Sequence, residues 1–188
     1  MIVVIVALET ELSSRPLGDD VVLVHSGVGK INATLATCRA IERHRPSLVI
    51  NYGTAGAMQA STDGLMEVSR VIQRDMMAEP IAPRGVTPFS PQSAEILSGH
   101  AGICCATGDS FVTAADPWLH AQQVDIVDME LYAIADVCRR SHLSWRAFKY
   151  VTDMADAAAA GDWSRRVGAG ELLFQQMLEK LLSRHAAR

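Results

Sequence analysis

Six acidic residues fall in three pairs, each at or just past the end of an apolar stretch. Glu9 and Glu11 follow IVVIVA at 2–7, Asp128 and Glu130 follow DIV at 125–127, and Asp153 and Asp156 follow WRAFKYV at 145–151. Carboxylates gathered at one place can accept sugar hydroxyls and activate water. One of them, held protonated, can donate a proton to a leaving group. That is glycosidic-bond chemistry. The same oxygens would also suit Mg²⁺, but no histidines stand at ligand spacing to make that reading specific. Any one acid alone is more often a helix cap or a solvated turn.

The elements that would bring the three pairs together can be read from the apolar pattern. Residues 2–7 form a continuous β-branched run, the pattern of a strand buried on both faces. VVLVHS at 21–26 reads as a second strand. The segment INATLATCRAIERHR reads as a helix with an apolar stripe at 31, 35, 38 and 41, ended by Pro46. Further strands are read at SLVIN, at 66–73, at 102–107, at 125–129 and at 145–151. A helix is read at 130–142, and a last amphipathic helix at about 163–184 with Asp162 as its cap. The stretch 78–92, with prolines at 80, 83, 88 and 91, reads as irregular.

Strands alternating with helices indicate an α/β fold built on a mostly parallel sheet. At 188 residues, with no repeat and no linker composition, one domain over 1–188 is the expectation. In such sheets ligands bind beyond the carboxyl ends of strands. Three strands delivering acids to that edge point to a site.

Composition removes several classes. Net charge is −4 and no basic run occurs, so neither nucleic acid nor an acidic membrane is expected as a partner. The N-terminal stretch MIVVIVALETELSSR lacks a positive leader and meets two glutamates early, unlike a signal peptide. No apolar run approaches membrane-spanning length. Cys38, Cys104, Cys105 and Cys138 form no Cys-x-x-Cys pair and read as free buried thiols of a cytoplasmic protein.

Three glycine-bearing stretches complete the picture. SGVGK lacks the spacing of a Walker loop, and Asn32 breaks the dinucleotide fingerprint. It reads as a tight strand-to-helix turn with free amides at a helix start. NYGTAGAM, 51–58, reads as a glycine-rich turn after a strand, where Gly53 and Gly56 allow close backbone approach to a ligand. TGDSFV, 107–112, sets Phe111 beside a strand end, where it serves either as a core plug or as a stacking face for a base.

In order along the chain, VALETEL, SGVGKINATLA, NYGTAGAM, TGDSFV, VDMELYAIADVC and KYVTDMAD resemble the purine nucleoside phosphorylase and nucleosidase superfamily. The likeness is greatest to bacterial methylthioadenosine/S-adenosylhomocysteine nucleosidases. The resemblance implies a three-layer sandwich around a mixed, mostly parallel sheet. It implies Glu11 as the group that activates water and Asp153 as the acid at purine N7. Glu130 would bind ribose hydroxyls, with Met129 packing on the sugar. Phe111 would stack on the purine and the Val112 backbone would read its edge. Ala7, Gly53, Thr54 and Ser110 would line the substrate, Thr54 standing where the family has serine. Lys149 replaces an expected arginine near the water or phosphate position. Ile81, in the loop that reaches a neighbouring site, would be contributed by the partner of a homodimer. No metal and no organic cofactor is implied.

The sequence departs from the family pattern in places. Residues 13–21, SSRPLGDDV, are shorter than the helix and hairpin usual there, and Met77 and Glu79 replace an aspartate and a threonine. AAAAGDWSRR at 157–166 is not the family's usual helix entry, and its alanine run and Trp163 have no account. No arginine lies between Arg45 and Gly56, and Glu9 and Glu11 would repel phosphate, so water is the expected acceptor; Arg15 keeps phosphorolysis open. The expectation is hydrolysis of an adenine nucleoside such as methylthioadenosine. A phosphate-using phosphorylase, a nucleoside-binding member with weakened catalysis, and a Mg²⁺-dependent phosphohydrolase are the alternatives.

Overall fold

All five side chains of β1 (Ile2–Val6) are buried, as an unbroken β-branched run requires when both faces of a strand are covered. In the computed structural model, which describes residues 1–156 and 158–186 (184–186 as backbone alone), β1 lies within one eight-stranded sheet. The other strands are β2 (Val21–His25), β3 (Leu48–Ala57), β4 (Leu65–Gln73), β5 (Glu95–Leu97), β6 (Ile103–Thr107), β7 (Ile126–Asp128) and β8 (Ser144–Met154). The helices are α1 (Lys30–His44), α2 (Pro117–Ala121), α3 (Leu131–Arg140), α4 (Ala159–Arg166) and α5 (Glu171–Ala186).

The strand path is β2-β1-β3-β7-β6-β4-β5, and β8 pairs with both β3 and β4. The strands β3, β7, β6, β4 and β8 thus pair around a closed ring. Five pairings are parallel and three antiparallel, so the sheet is mixed and mostly parallel. Helices cover both faces. On one, Ala33 and Ala40 of α1 pack with Leu131 and Ile134 of α3. On the other, Phe174 and Leu178 of α5 pack against β1 and β3, and Phe174 stacks on Tyr52 with ring centroids 4.2 Å apart.

Several elements differ from the sequence reading, each for a local reason. NYGTAGAM is not a turn: β3 continues through Ala57, and its glycines leave room for side chains crossing from neighbouring elements. β8 runs on to Met154, so Asp153 lies inside a strand rather than past one. The last helix is two helices. They break at 167–170, where a Cβ on Gly170 would meet Tyr150 Cγ at 2.4 Å. Asp162 is not a cap; it sits inside α4 and pairs with Arg165 one turn on. The short strand β5 and helix α2 were not legible, although Asp116 caps α2 through Trp118 N, with Pro117 in the first turn. Ala157, the first of the four alanines, lies outside the described residues.

Of the apolar stripe read at 31, 35, 38 and 41, the first three positions face outward and only Ile41 packs on the core. Ala33, Thr37 and Ala40 are the buried positions, while Ile31 is 82% and Leu35 49% exposed. Cys38 shares the outer face and is exposed, against the expectation of a buried thiol; Cys104, Cys105 and Cys138 are buried. Among the described residues, no helix is long and apolar enough to cross a membrane.

Candidate active site

Asp153 reaches its position through a break in strand register. Along β8, Val151 lies opposite Ala55 but Asp153 lies opposite Gly56, leaving Thr152 as the extra residue of a bulge. A bulge re-aims the side chains that follow it. The Thr152 hydroxyl donates to Asp153 Oδ1 at 2.7 Å. Gly56 makes the space: a Cβ there would stand 2.8 Å from Asp153 Oδ2. Burial holds the Asp153 carboxyl above the ordinary aspartate range, with Asp162 and Asp156 adding to the rise.

Glu11 comes from the turn after β1 and is buried. Its Oε1 accepts from Thr54 N at 2.8 Å and from Thr54 Oγ1 at 2.7 Å, and its Oε2 accepts from Leu8 N at 3.0 Å. Glu9, its neighbour in sequence, is exposed and takes a hydrogen bond from Ser14.

Asp128 ends β7 and Glu130 opens α3. The backbone amide of Gly29, at the start of α1, donates to Glu130 Oε1 at 2.8 Å. The next amide, Lys30 N, donates to Asp109 Oδ1 at 2.8 Å. The amides that SGVGK sets at a helix start are therefore taken by carboxylates of the protein itself. Gly27 and Gly29 both have positive φ, which explains the glycines of that turn.

Beneath these acids lies a sealed ion pair. Lys149 Nζ is 2.7 Å from Asp128 Oδ2, and neither side chain reaches solvent. Burial alone would lower Lys149, but the negative charges of Asp128 and Glu130 hold it above the ordinary lysine range. Burial works against the ionised form of Asp128, and Lys149 overrides it, keeping that carboxyl below its usual range. Glu130 shows the opposite balance. Burial first, then the charge of Asp128, push it up to about 7.

One cavity of ≈ 230 Å³ gathers these groups. Glu11, Asp128, Glu130 and Asp153 line it, with Ala7, Thr54, Ser110, Phe111, Val112 and Met129. Three expected residues lie off its wall. Gly53 and Lys149 stand one layer beneath: a Cβ on Gly53 would meet Lys149 Nζ at 3.3 Å and Glu11 Oε1 at 3.5 Å. Lys149 is not open to a phosphate or water; its ammonium is spent on Asp128. Ile81 is 68% exposed and lines no part of this cavity within its own chain. Asp156 is exposed, where its Oδ1 accepts from Ala158 N at 2.8 Å, a turn and not a site group.

Among the wall residues that sequence reasoning did not assign, two donate side-chain hydrogen bonds, Arg74 and Trp163. Arg74, just past β4, is buried, and its guanidinium holds the 108–110 turn through Gly108 O at 2.9 Å, Ser110 Oγ at 3.2 Å and Ser110 O. A basic residue directly after the strand-like segment MEVSRVIQ was its only signal. Trp163, on α4, donates from Nε1 to Thr54 Oγ1 at 2.9 Å. Its signal was a tryptophan in a stretch that departs from the family's usual helix entry. Among the described residues no group of three or more His, Cys, Asp or Glu is placed to hold a metal ion.

A mixed sheet closed on itself, with carboxylates converging from three strands on one cavity, matches a known family. The sequence model of the phosphorylase superfamily matches residues 6–187, and the chain belongs to that superfamily. Among its relatives, the 5′-methylthioadenosine/S-adenosylhomocysteine nucleosidase of Anoxybacillus flavithermus is 31% identical over 161 residues, 73% of this chain and 69% of that one. Two solved structures from Helicobacter pylori share the fold. One is a mutant of the corresponding nucleosidase with 5′-methylthioadenosine in its active site (18% identity, TM-score 0.84, 97% of this chain and 98% of that one). The other is futalosine hydrolase (18% identity, TM-score 0.86, 97% of each chain).

Proposed function

We propose that this enzyme hydrolyses the N-glycosidic bond of a purine nucleoside, an adenine nucleoside such as 5′-methylthioadenosine or S-adenosylhomocysteine. The observation that carries this reading is the contrast between two carboxyls on one cavity. Glu11 receives three donors that fix its orientation, the setting of a carboxyl aimed at a water. Asp153 is buried with its pKa raised, the setting of an acid that donates.

In this mechanism Asp153 passes a proton to purine N7, so the base departs neutral. Positive charge develops on the sugar, and the surrounding carboxylates stabilise it. Glu11 takes a proton from the water that attacks the anomeric carbon. Glu130 accepts the ribose hydroxyls and Met129 packs on the sugar. Phe111, 47% exposed on the cavity wall, stacks on the base, and the Val112 backbone reads its edge. Phosphate is disfavoured as acceptor, because Arg74 is committed to the 108–110 turn, Lys149 to Asp128, and the exposed Arg15 lies off the wall.

A homodimer fits the same reading. Val28 lies on the cavity wall and is 42% exposed, and it is continuous in sequence with the exposed Ile31 and Leu35 of α1. A second copy covering that face would complete the rim, and the exposed Ile81 is the residue proposed to cross over.

The test is direct. Pure protein is incubated with methylthioadenosine, S-adenosylhomocysteine, futalosine and inosine, with and without phosphate. Release of free base and reducing sugar without phosphate is expected, fastest with the adenine nucleosides. Strict dependence on phosphate would make the enzyme a phosphorylase, and preference for futalosine would reassign the substrate within the same reaction class.

A further inference from the structure

α4 has no part in the chemistry above, yet it supplies one hydrogen bond that ends on a reacting group. Trp163 Nε1–H donates to Thr54 Oγ1 at 2.9 Å, and Thr54 Oγ1 donates to Glu11 Oε1 at 2.7 Å. An indole N–H can only donate. It occupies a lone pair of the threonine hydroxyl and so favours the hydroxyl's single proton pointing at Glu11. Hydrogen bonds in such a chain polarise and strengthen one another. Thr54 N grips the same carboxylate oxygen and Leu8 N the other, so the orientation of Glu11 depends on where residue 54 is held. Trp163 holds its hydroxyl from α4. The same helix is tied to β8, where Arg166 donates to Thr152 O at 3.3 Å.

We infer that Trp163 is a positioning residue for the reaction: acting through the Thr54 hydroxyl, it fixes Glu11 in the orientation that activates water. The inference rests on the proposed role of Glu11. It gives the segment from Ala158 to Trp163 a purpose, because α4 delivers a donor to the hydroxyl that holds the carboxylate.

Steady-state kinetics with the preferred nucleoside of the panel test it, comparing Trp163→Phe, Thr54→Val, the double variant and Glu11→Gln. Phenylalanine keeps an aromatic wall and removes the donor. Trp163→Phe should lower kcat about 3- to 10-fold, the worth of one hydrogen bond, with KM unchanged. In the Thr54→Val background it should lower kcat no further, because the two residues act as one link. Wild-type kcat in Trp163→Phe, or losses that multiply in the double variant, would overturn the inference. If Glu11→Gln is inactive in that case, the Glu11 assignment still stands. Wild-type turnover by Glu11→Gln, or no turnover of any nucleoside by the unmodified enzyme, would overturn both. If Trp163→Phe is not recovered folded, Trp163→Leu carries the same comparison.

Discussion

Lys149 and Asp128 form an ion pair of 2.7 Å in which the side chains are 1% and 0% exposed. Each charge is tolerated only because the other is there. Removing one partner of such a pair leaves the other buried and uncompensated, at a cost of about 3–5 kcal/mol. Lys149→Met, which keeps most of the volume, should lower the urea-unfolding free energy by that amount. A change below about 1 kcal/mol would mean that Asp128 finds another partner or a proton.

Gly56 is the second dependence. Its missing Cβ is the space that Asp153 Oδ2 fills, at 2.8 Å from where a Cβ would stand. Gly56→Ala should displace the proposed acid and lower kcat by about 10²-fold, since misplacement near 1 Å is worth that much. Its circular dichroism should match the unmodified enzyme.

Asp153→Asn removes the proton donor and keeps the shape. Loss of general acid catalysis should reduce turnover by about 10²-fold or more. Because burial raises Asp153, activity in the unmodified enzyme should fall as pH rises through that raised value. Retention of most activity in Asp153→Asn would remove Asp153 from the acid role.

Glu130 makes a prediction about stability against pH. Its folded value of about 7 lies above its ordinary 4.5, so the folded state holds the proton more tightly than the unfolded chain. The contribution is fully present below about 4.5 and is lost as pH rises through about 7. Glu130→Gln cannot lose it. Relative to the unmodified enzyme, the variant should therefore gain stability between pH 5 and pH 8, by up to about 3 kcal/mol. Chemical denaturation at the two pH values checks it; a difference that does not change with pH would refute the assignment.

The proposed dimer predicts the behaviour of α1. Ile31→Glu with Leu35→Glu should place two charges in the covered face and yield a monomer by light scattering. A mass unchanged from that of the unmodified protein would show that this face is not the contact.

What could be read along the chain was whatever depends on local pattern. Five β-branched residues in a row announce β1, and the acids after it and after β7 announced themselves by type. The outer stripe of α1 was legible as apolar, but its direction was not. Ala33, Thr37 and Ala40 win the inner face because α3 packs close against α1, and that closeness is invisible in a single helix. GTAG read as a turn because glycine is common in turns; its glycines instead accommodate Lys149, Glu11 and Asp153 arriving from elsewhere.

The sequence by itself determined the α/β class, the family likeness, and the residue types able to cleave a glycosidic bond. Tertiary structure decided which acids differ from one another. Glu11 and Asp153 are both carboxyls after apolar runs, but one meets three donors and the other a bulge, a glycine and burial. It also decided that Lys149 lies beneath the cavity and Trp163 on its wall. The physical reason is that proton affinity depends on the dielectric and on charges and donors within a few ångströms. At this site several of those neighbours are distant in sequence, Thr54 lying 43 positions from Glu11, Gly29 101 from Glu130 and Trp163 109 from Thr54, and only folding brings them together.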